Sequence, residues 1–298
     1  MHIDGAMQAD ALRHTRRQRR IRRAMHEITE QATQAQCLVV ASQQQVRQMV
    51  HRQSPACHRR PAAAAVIIFG MNPTVLADDP ASFPDQAASF ALTGPAGKLE
   101  TLIDLAERPG ARAGMAVVCH PNPVQGGTMH NKVVTMVERS LRESGLDTLR
   151  FNFRGTGASE GSYDDGDGES GDLAAVVAWL RRVRPGDALW LAGFSFGSYV
   201  TIRNAVRLKA DALVSIAPPV GRWSMADDVL PSCPWLVVMG EADEVVEPQA
   251  VFDWIDGMQQ PPELIRMPEA GHFFHRRLMD LRGAVKHAVA DWLPPPRA

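Results

Sequence analysis

The sequence predicts an α/β fold, a mostly parallel sheet with helices on both faces. Three observations predict it. "GMAVVCHP", "DALWLAGFS" and "PWLVVMGEAD" are continuous apolar runs, as strands buried on both faces require. "NKVVTMVERSLRESG" places Val133, Met136, Val137 and Leu141 on one helical stripe and stops at Gly145. From about Gln86 strand and helix patterns take turns, and strands joined through helices pair in parallel.

The elements follow in order. "ASFALTG" and "LETLIDLA" alternate around the turn signal "PAGK", which predicts a hairpin. "GMAVVCHP" is the next strand, followed by the Val133–Leu141 helix and the strand "DTLRFNFRG". "SGDLAAVVAWLRRV" is a helix with Ser170 or Asp172 near its start. The acidic stretch before it, "SYDDGDGESGDL", lacks EF-hand spacing and reads as a solvated loop ending in a helix cap. "DALWLAGFS" is a strand and "FGSYVTIRNAVRL" a helix. "DALVSIAPPV", "PWLVVMGEAD" and "ELIRMPEAGH" are three more strands, with helical patterns near Gln249–Met258 and Arg276–Trp292.

The chain of 298 residues carries a formal net charge of -1, which hides a division. Residues 1–70 hold eleven arginines, no lysine and four acids, a formal +7, against −8 for the rest. This first segment has no sustained period and is expected to be a disordered or non-native extension. A basic arm and an organelle transit segment also fit its composition. "GMNPTVLADD" makes Met71 the expected natural start, with residues 71–298 as the folded domain. The run "AAAAVIIFG" is shorter than the roughly 20 residues a bilayer requires. Cys37, Cys57, Cys119 and Cys233 are scattered without metal-ligand spacing. A cytoplasmic protein is expected, with no metal, no membrane partner and no nucleic-acid partner.

The chemistry concentrates at "GFSFG", Gly193 to Gly197. A serine between glycines, at a strand end and a helix start, is the nucleophile elbow. The tight turn exposes the Ser195 hydroxyl, and the glycines remove bulk where the backbone doubles back. A serine hydroxyl is a weak nucleophile at neutral pH, so it needs a base and an acid to orient that base. Beyond such an elbow the acid and then the base follow in chain order. "GEADEVVEP" offers Asp243, three residues past a strand end, with Glu241, Glu244 and Glu247 as competitors. "AGHFFH" offers His272, with His275 as the competitor; His287 lies in a helix pattern. Attack on a carbonyl also needs donors for the oxyanion. The backbone N–H of Phe196 is one. The loop "HPNPVQGGTMHNKV" supplies the second from Asn122, since Pro121 and Pro123 carry no N–H. His120 is expected to hold that loop by hydrogen bonds, and Gly126-Gly127 leaves room for close backbone approach.

These stretches together resemble the α/β-hydrolase superfamily, in particular compact bacterial serine hydrolases with an HPxPxxGGxMxNKV loop. "HPNPVQGGTMHNKV", "FNFRGTGASEG", "GFSFG", "GEADEVV" and "GHFF" carry the likeness, which spans about Ala88 to Leu293. The resemblance implies an α/β-hydrolase fold and no metal or organic cofactor. Members often carry a lid after the elbow helix and the following strand. Here "GRWSMADDVLPS" leaves too little chain for one, so an open site is expected with Met129, Trp223 and Met225 near it. Cleavage of a small carboxylic ester through an acyl-enzyme is the first expectation. A peptidase or thioesterase using the same triad, or a non-catalytic binding protein on this fold, are the alternatives. The oligomeric state has no signature in the sequence.

Overall fold

The computed structural model describes residues 73–223, 225 and 230–297. The basic segment and the proposed start at Met71 lie outside the described residues.

The hairpin forms β2 (Ala88–Gly94) and β3 (Gly97–Asp104), antiparallel, with Gly97 at φ 117° completing the turn. The turn is tighter than "PAGK" implied: Gly97 and Lys98 already pair across it. A two-residue strand, β1 (Thr74–Val75), pairs in parallel with β2. The remaining strands are β4 (Gly114–Cys119), β5 (Asp147–Phe151), β6 (Ala188–Phe194), β7 (Ala212–Ile216), β8 (Trp235–Gly240) and β9 (Glu263–Met267). All nine form one sheet, in the order β1-β2-β3-β5-β4-β6-β7-β8-β9. The pairs from β5–β4 through β8–β9 are parallel. Every residue of β4, β5, β7 and β8 is buried, so both faces of the centre are covered.

The helices are α1 (Lys132–Glu143), α2 (Asp167–Val183), α3 (Phe196–Ala205), α4 (Pro248–Asp256) and α5 (Leu278–Ala288). The chain leaves β4 toward β5 on one side and later leaves β6 toward β7 on the other. Right-handed crossovers then send α1 and α3 to opposite faces. α5 packs with α1, and α2 with α3. The carboxyl ends of β4 and β6 therefore mark the point where the strand order reverses, the usual ligand position in such sheets. At the opposite end of β4 the segment 294–297 runs beside the entering chain. Ala113 N–H donates to Pro295 O at 2.9 Å, and Arg297 N–H to Ala111 O at 2.8 Å.

Two expectations are corrected. α2 begins at Asp167, before Ser170 and Asp172, because Glu169 caps the helix from within. Its carboxylate accepts from the N–H of Gly166 at 2.8 Å and of Asp164 at 3.0 Å. The second part of the acidic stretch is accordingly no solvated loop. Glu169 and Asp172 are fully buried, and Asp172 holds the Arg154 guanidinium at 2.7 Å and the Arg154 N–H at 3.0 Å. A β-carbon on Gly168 would sit 2.2 Å from that guanidinium, which accounts for a glycine inside the helix. The last helical pattern is also shorter than Arg276–Trp292 implied: α5 is followed by a separate 3-10 turn at Ala290–Trp292.

Candidate active site

β6 ends at Phe194 and α3 begins at Phe196, so Ser195 is the whole join. Its backbone is forced to φ 53°, ψ −119°, a conformation that costs a side-chain-bearing residue about 1–3 kcal/mol. The surroundings hold it there. Ser195 N–H donates to Ile216 O at 2.8 Å, and its carbonyl accepts from the N–H groups of Ser198 and Tyr199. The Ser198 hydroxyl lies 2.7 Å from Gly193 O and 2.9 Å from Ile216 O, tying the helix start to two strands. The glycines are spatial requirements. A β-carbon on Gly193 would meet the Gly197 carbonyl at 2.3 Å, and one on Gly197 would meet Cys119 O at 2.3 Å. The first turn of α3 thus rests directly on the backbone leaving β4.

Three side chains meet above this turn. His272 Nε2 lies 3.1 Å from Ser195 Oγ, and His272 Nδ1 lies 2.8 Å from Asp243 Oδ2. All three are buried. Asp243 follows β8 and His272 follows β9, so the adjacent strand ends bring together residues far apart in the chain. Asp243 Oδ1 accepts from the N–H of Val245 at 2.8 Å and of Val246 at 2.7 Å. Its second oxygen is then left for the imidazole. An ionised carboxylate only accepts, so Nδ1 carries the hydrogen and the Nε2 lone pair faces Ser195. The imidazole packs against Phe194, with ring centroids 4.9 Å apart, and meets Phe273 in a T-shaped contact at 5.1 Å.

The competing residues take other positions. Glu241 and Glu247 are exposed, as are His275 and His287. Glu244 meets His272 differently: its Oε2 accepts from the backbone N–H of His272 at 3.1 Å. Neighbouring acids thus hold the ring and the main chain of one histidine. No sequence signal distinguished this use of Glu244, because it targets a backbone group.

The loop after β4 enters a short 3-10 turn, Pro123–Gln125, capped by the Asn122 side chain, which accepts from Val124 N–H at 3.1 Å. Gly127 closes it; a β-carbon there would sit 2.1 Å from Pro121 O. Among the described residues, no protein group accepts from the backbone N–H of Asn122 or of Phe196. His120 is fully buried beneath this loop. Its Nε2 accepts from Phe153 N–H at 3.0 Å and its Nδ1 lies 2.7 Å from Pro121 O, which it reaches as a donor. Burial pushes its pKa down to about 4, so the ring is neutral above that range. Asn152 makes a second tie, accepting from Met129 N–H at 2.8 Å. The stretch "FNFRG" therefore works as a clamp on the "HPNP" loop, a role that the sequence motif did not reveal.

Of the residues expected to border a substrate, Trp223 packs with its ring 5.2 Å from that of Phe196. Met129 and Met225 are buried in packing. Two clefts, of about 380 and 680 Å³, are lined without Ser195, Asp243 or His272. The larger one runs past Met225, Trp254 and Met258 along α4.

Comparison with known proteins agrees with this architecture. The chain is 53% identical to XC6422 of Xanthomonas campestris, a member of the α/β serine hydrolases without a lid, with a TM-score of 0.71 over 72% of this chain and 99% of that one. It is 42% identical to an α/β serine hydrolase homologue from Coxiella burnetii, with a TM-score of 0.68 over 70% of this chain and 100% of that one. The chain belongs to the α/β serine hydrolases. Its fold is the mostly parallel sheet of that family. It is also 31% identical, over 202 residues, to the uncharacterized protein RP471 of Rickettsia prowazekii, covering 64% of this chain and 84% of that one. Residues 107–232 match the family of X-Pro dipeptidyl-peptidases (S15 family), a stretch that includes Ser195 and stops before Asp243 and His272. Among the described residues, no helix is long and apolar enough to cross a membrane.

Proposed function

We propose that this hydrolase cleaves a small carboxylic ester through an acyl-enzyme, with Ser195, His272 and Asp243 as its triad. The observation that carries the reading is the hydrogen-bonded chain itself, with the Nε2 lone pair 3.1 Å from a strained, glycine-flanked hydroxyl. Ser195 Oγ attacks the ester carbonyl while His272 Nε2 takes its proton. The carbonyl oxygen becomes an anion between the N–H groups of Phe196 and Asn122. Collapse breaks the bond to the alcohol, which leaves with the proton from His272. Water then attacks the acyl-serine, His272 takes the water's proton, and collapse returns it to Ser195 as the acid departs. Asp243 holds the imidazole in one tautomer and stabilises its charged form.

The direct test is labelling with a fluorophosphonate, mapped by peptide mass spectrometry, beside an acyl-length panel of esters. Labelling at Ser195 with ester turnover is expected, and Ser195→Ala should lose on the order of 10⁶-fold in turnover. Absence of labelling in the folded protein would refute the reading. The match to the S15 family supports a second reading, peptidase activity. Cleavage of Xaa-Pro arylamides in preference to every ester would put that reading first.

A further inference from the structure

The two chain neighbours of Ser195, Phe194 and Phe196, belong to aromatic groups of different construction. In one are Phe194, His272 and Phe273. In the other, Phe196 is fully buried and is covered by Tyr163 at 5.6 Å and Trp223 at 5.2 Å. Trp223 also stacks on Tyr199, with centroids 5.6 Å apart and planes 24° apart. Tyr163 and Trp223 come from segments 60 positions apart, one after β5 and one after β7. One atom joins them. Asp165 Oδ1 accepts from the Tyr163 hydroxyl at 2.8 Å and from Trp223 Nε1–H at 2.9 Å.

We propose that Asp165 is a positioning residue that fixes Tyr163 and Trp223 as a wall for the acyl group of the substrate, and that this acyl group is apolar. The assignment rests on the reading of Ser195 as an acylated nucleophile. Proton transfer decides which part of the ester lies where. The leaving oxygen must face His272 Nε2 to be protonated, so the alcohol lies on the side of His272 and Phe273. The acyl group takes another direction from the carbonyl carbon, which the assignment places toward Phe196 and its two covering rings. Both rings are only partly buried, so they have surface to offer. Their polar ends, a hydroxyl and an indole N–H, are both turned to Asp165, which leaves the ring faces for apolar contact.

The charge state suits a permanent latch. The Trp223 and Tyr163 donors lower the pKa of Asp165, which keeps it an acceptor through the neutral range. Burial and the Asp165 hydrogen bond raise that of the Tyr163 phenol, which keeps it a donor. Asp165 itself sits at φ 49° on the exposed edge of its loop. No lid domain is needed for such a wall, because two short loops share one carboxylate.

The experiment compares Ser195 labelling rates for two fluorophosphonates, one with a methyl group and one with a long alkyl chain on phosphorus. Each methylene that finds the wall is worth roughly fourfold in rate. In Asp165→Ala the long-to-methyl rate ratio should fall about tenfold, as should the hexanoate-to-acetate ratio of kcat/KM for esters of one alcohol. Asp165→Asn keeps an acceptor oxygen and should restore most of the ratio. Tyr163→Phe, which keeps the ring and loses one donor, should lower it by less than Asp165→Ala. An unchanged ratio in Asp165→Ala, or an equal loss with both probes, would overturn the assignment while leaving the nucleophile intact. Failure of the wild-type protein to label at Ser195 would overturn it together with the proposed function.

Discussion

The seat of Ser195 and the seat of His272 are built from different materials. Ser195 is held largely by backbone: main-chain hydrogen bonds joined by the Ser198 hydroxyl, two glycines without room for a methyl group, and a helix resting on the carbonyls that leave β4. His272 is held by side chains, with Asp243 on its ring and Glu244 on its N–H. A backbone seat is rigid because moving it means moving strands. A carboxylate seat can be adjusted one residue at a time, and it can be dismantled the same way. The comparison predicts that substitutions at the base lower the rate with small structural effects. Substitutions at the nucleophile turn should damage rate and stability together.

The largest separation should come from Asp243→Asn. The amide can offer an N–H to Nδ1, which would turn the imidazole to the tautomer with its hydrogen facing Ser195. Turnover should fall on the order of 10⁴-fold, while urea unfolding shows a protein that remains folded. Gly197→Ala should break the other seat. Its methyl would lie 2.3 Å from Cys119 O, pushing the α3 start away from the β4 loop. A stability loss of roughly 1–3 kcal/mol and a kcat loss of roughly 10²–10³-fold should appear together. A variant that loses rate at wild-type stability would contradict the idea of a backbone-built seat.

Acid offers a third way to separate the seats. His120 lies under the β4 loop with its pKa pushed down to about 4 from an ordinary 6.5. The unfolded chain takes up this proton more readily than the folded one. The neutral ring's contribution is therefore complete above about pH 6.5 and declines as pH falls toward 4, by roughly 3 kcal/mol in all. Urea midpoints measured across that interval should show the slope, and His120→Gln should flatten it. The smallest effect should come from Glu244→Ala. This exposed acid contributes one hydrogen bond, so about a tenfold loss in kcat is expected, with Glu244→Gln recovering most of it. Equal losses in both variants would argue that charge, not the hydrogen bond, is what Glu244 provides.

The same division governs what could be read in the sequence. The elbow was legible because Gly193, Ser195 and Gly197 are neighbours and their geometry is local. The central strands were legible because burial on both faces leaves a continuous apolar run. The pairing of Asp243 with His272 followed from chain order and the shortage of histidines after Ser195, and the fold brings those two together with Ser195. Glu244 stood out only as a competitor, since a side chain bound to a backbone N–H leaves no pattern. The link from Trp223 to Asp165 spans 58 positions and depends on how two loops fold back. The start of α2 was missed because glycines and acids ordinarily mark loops, whereas here Glu169 caps its own helix and Asp172 is neutralised by Arg154.

The segment at 294–297 is bonded to the chain entering β4, whereas Asn122 follows that strand's exit. Six residues of strand lie between them, about 20 Å at roughly 3.3 Å per residue. A linker attached to this segment would grip the molecule by the end remote from Ser195. On a bead or an electrode, molecules tethered there would turn the exit of β4 away from the support. The tether itself would not stand in the substrate's way.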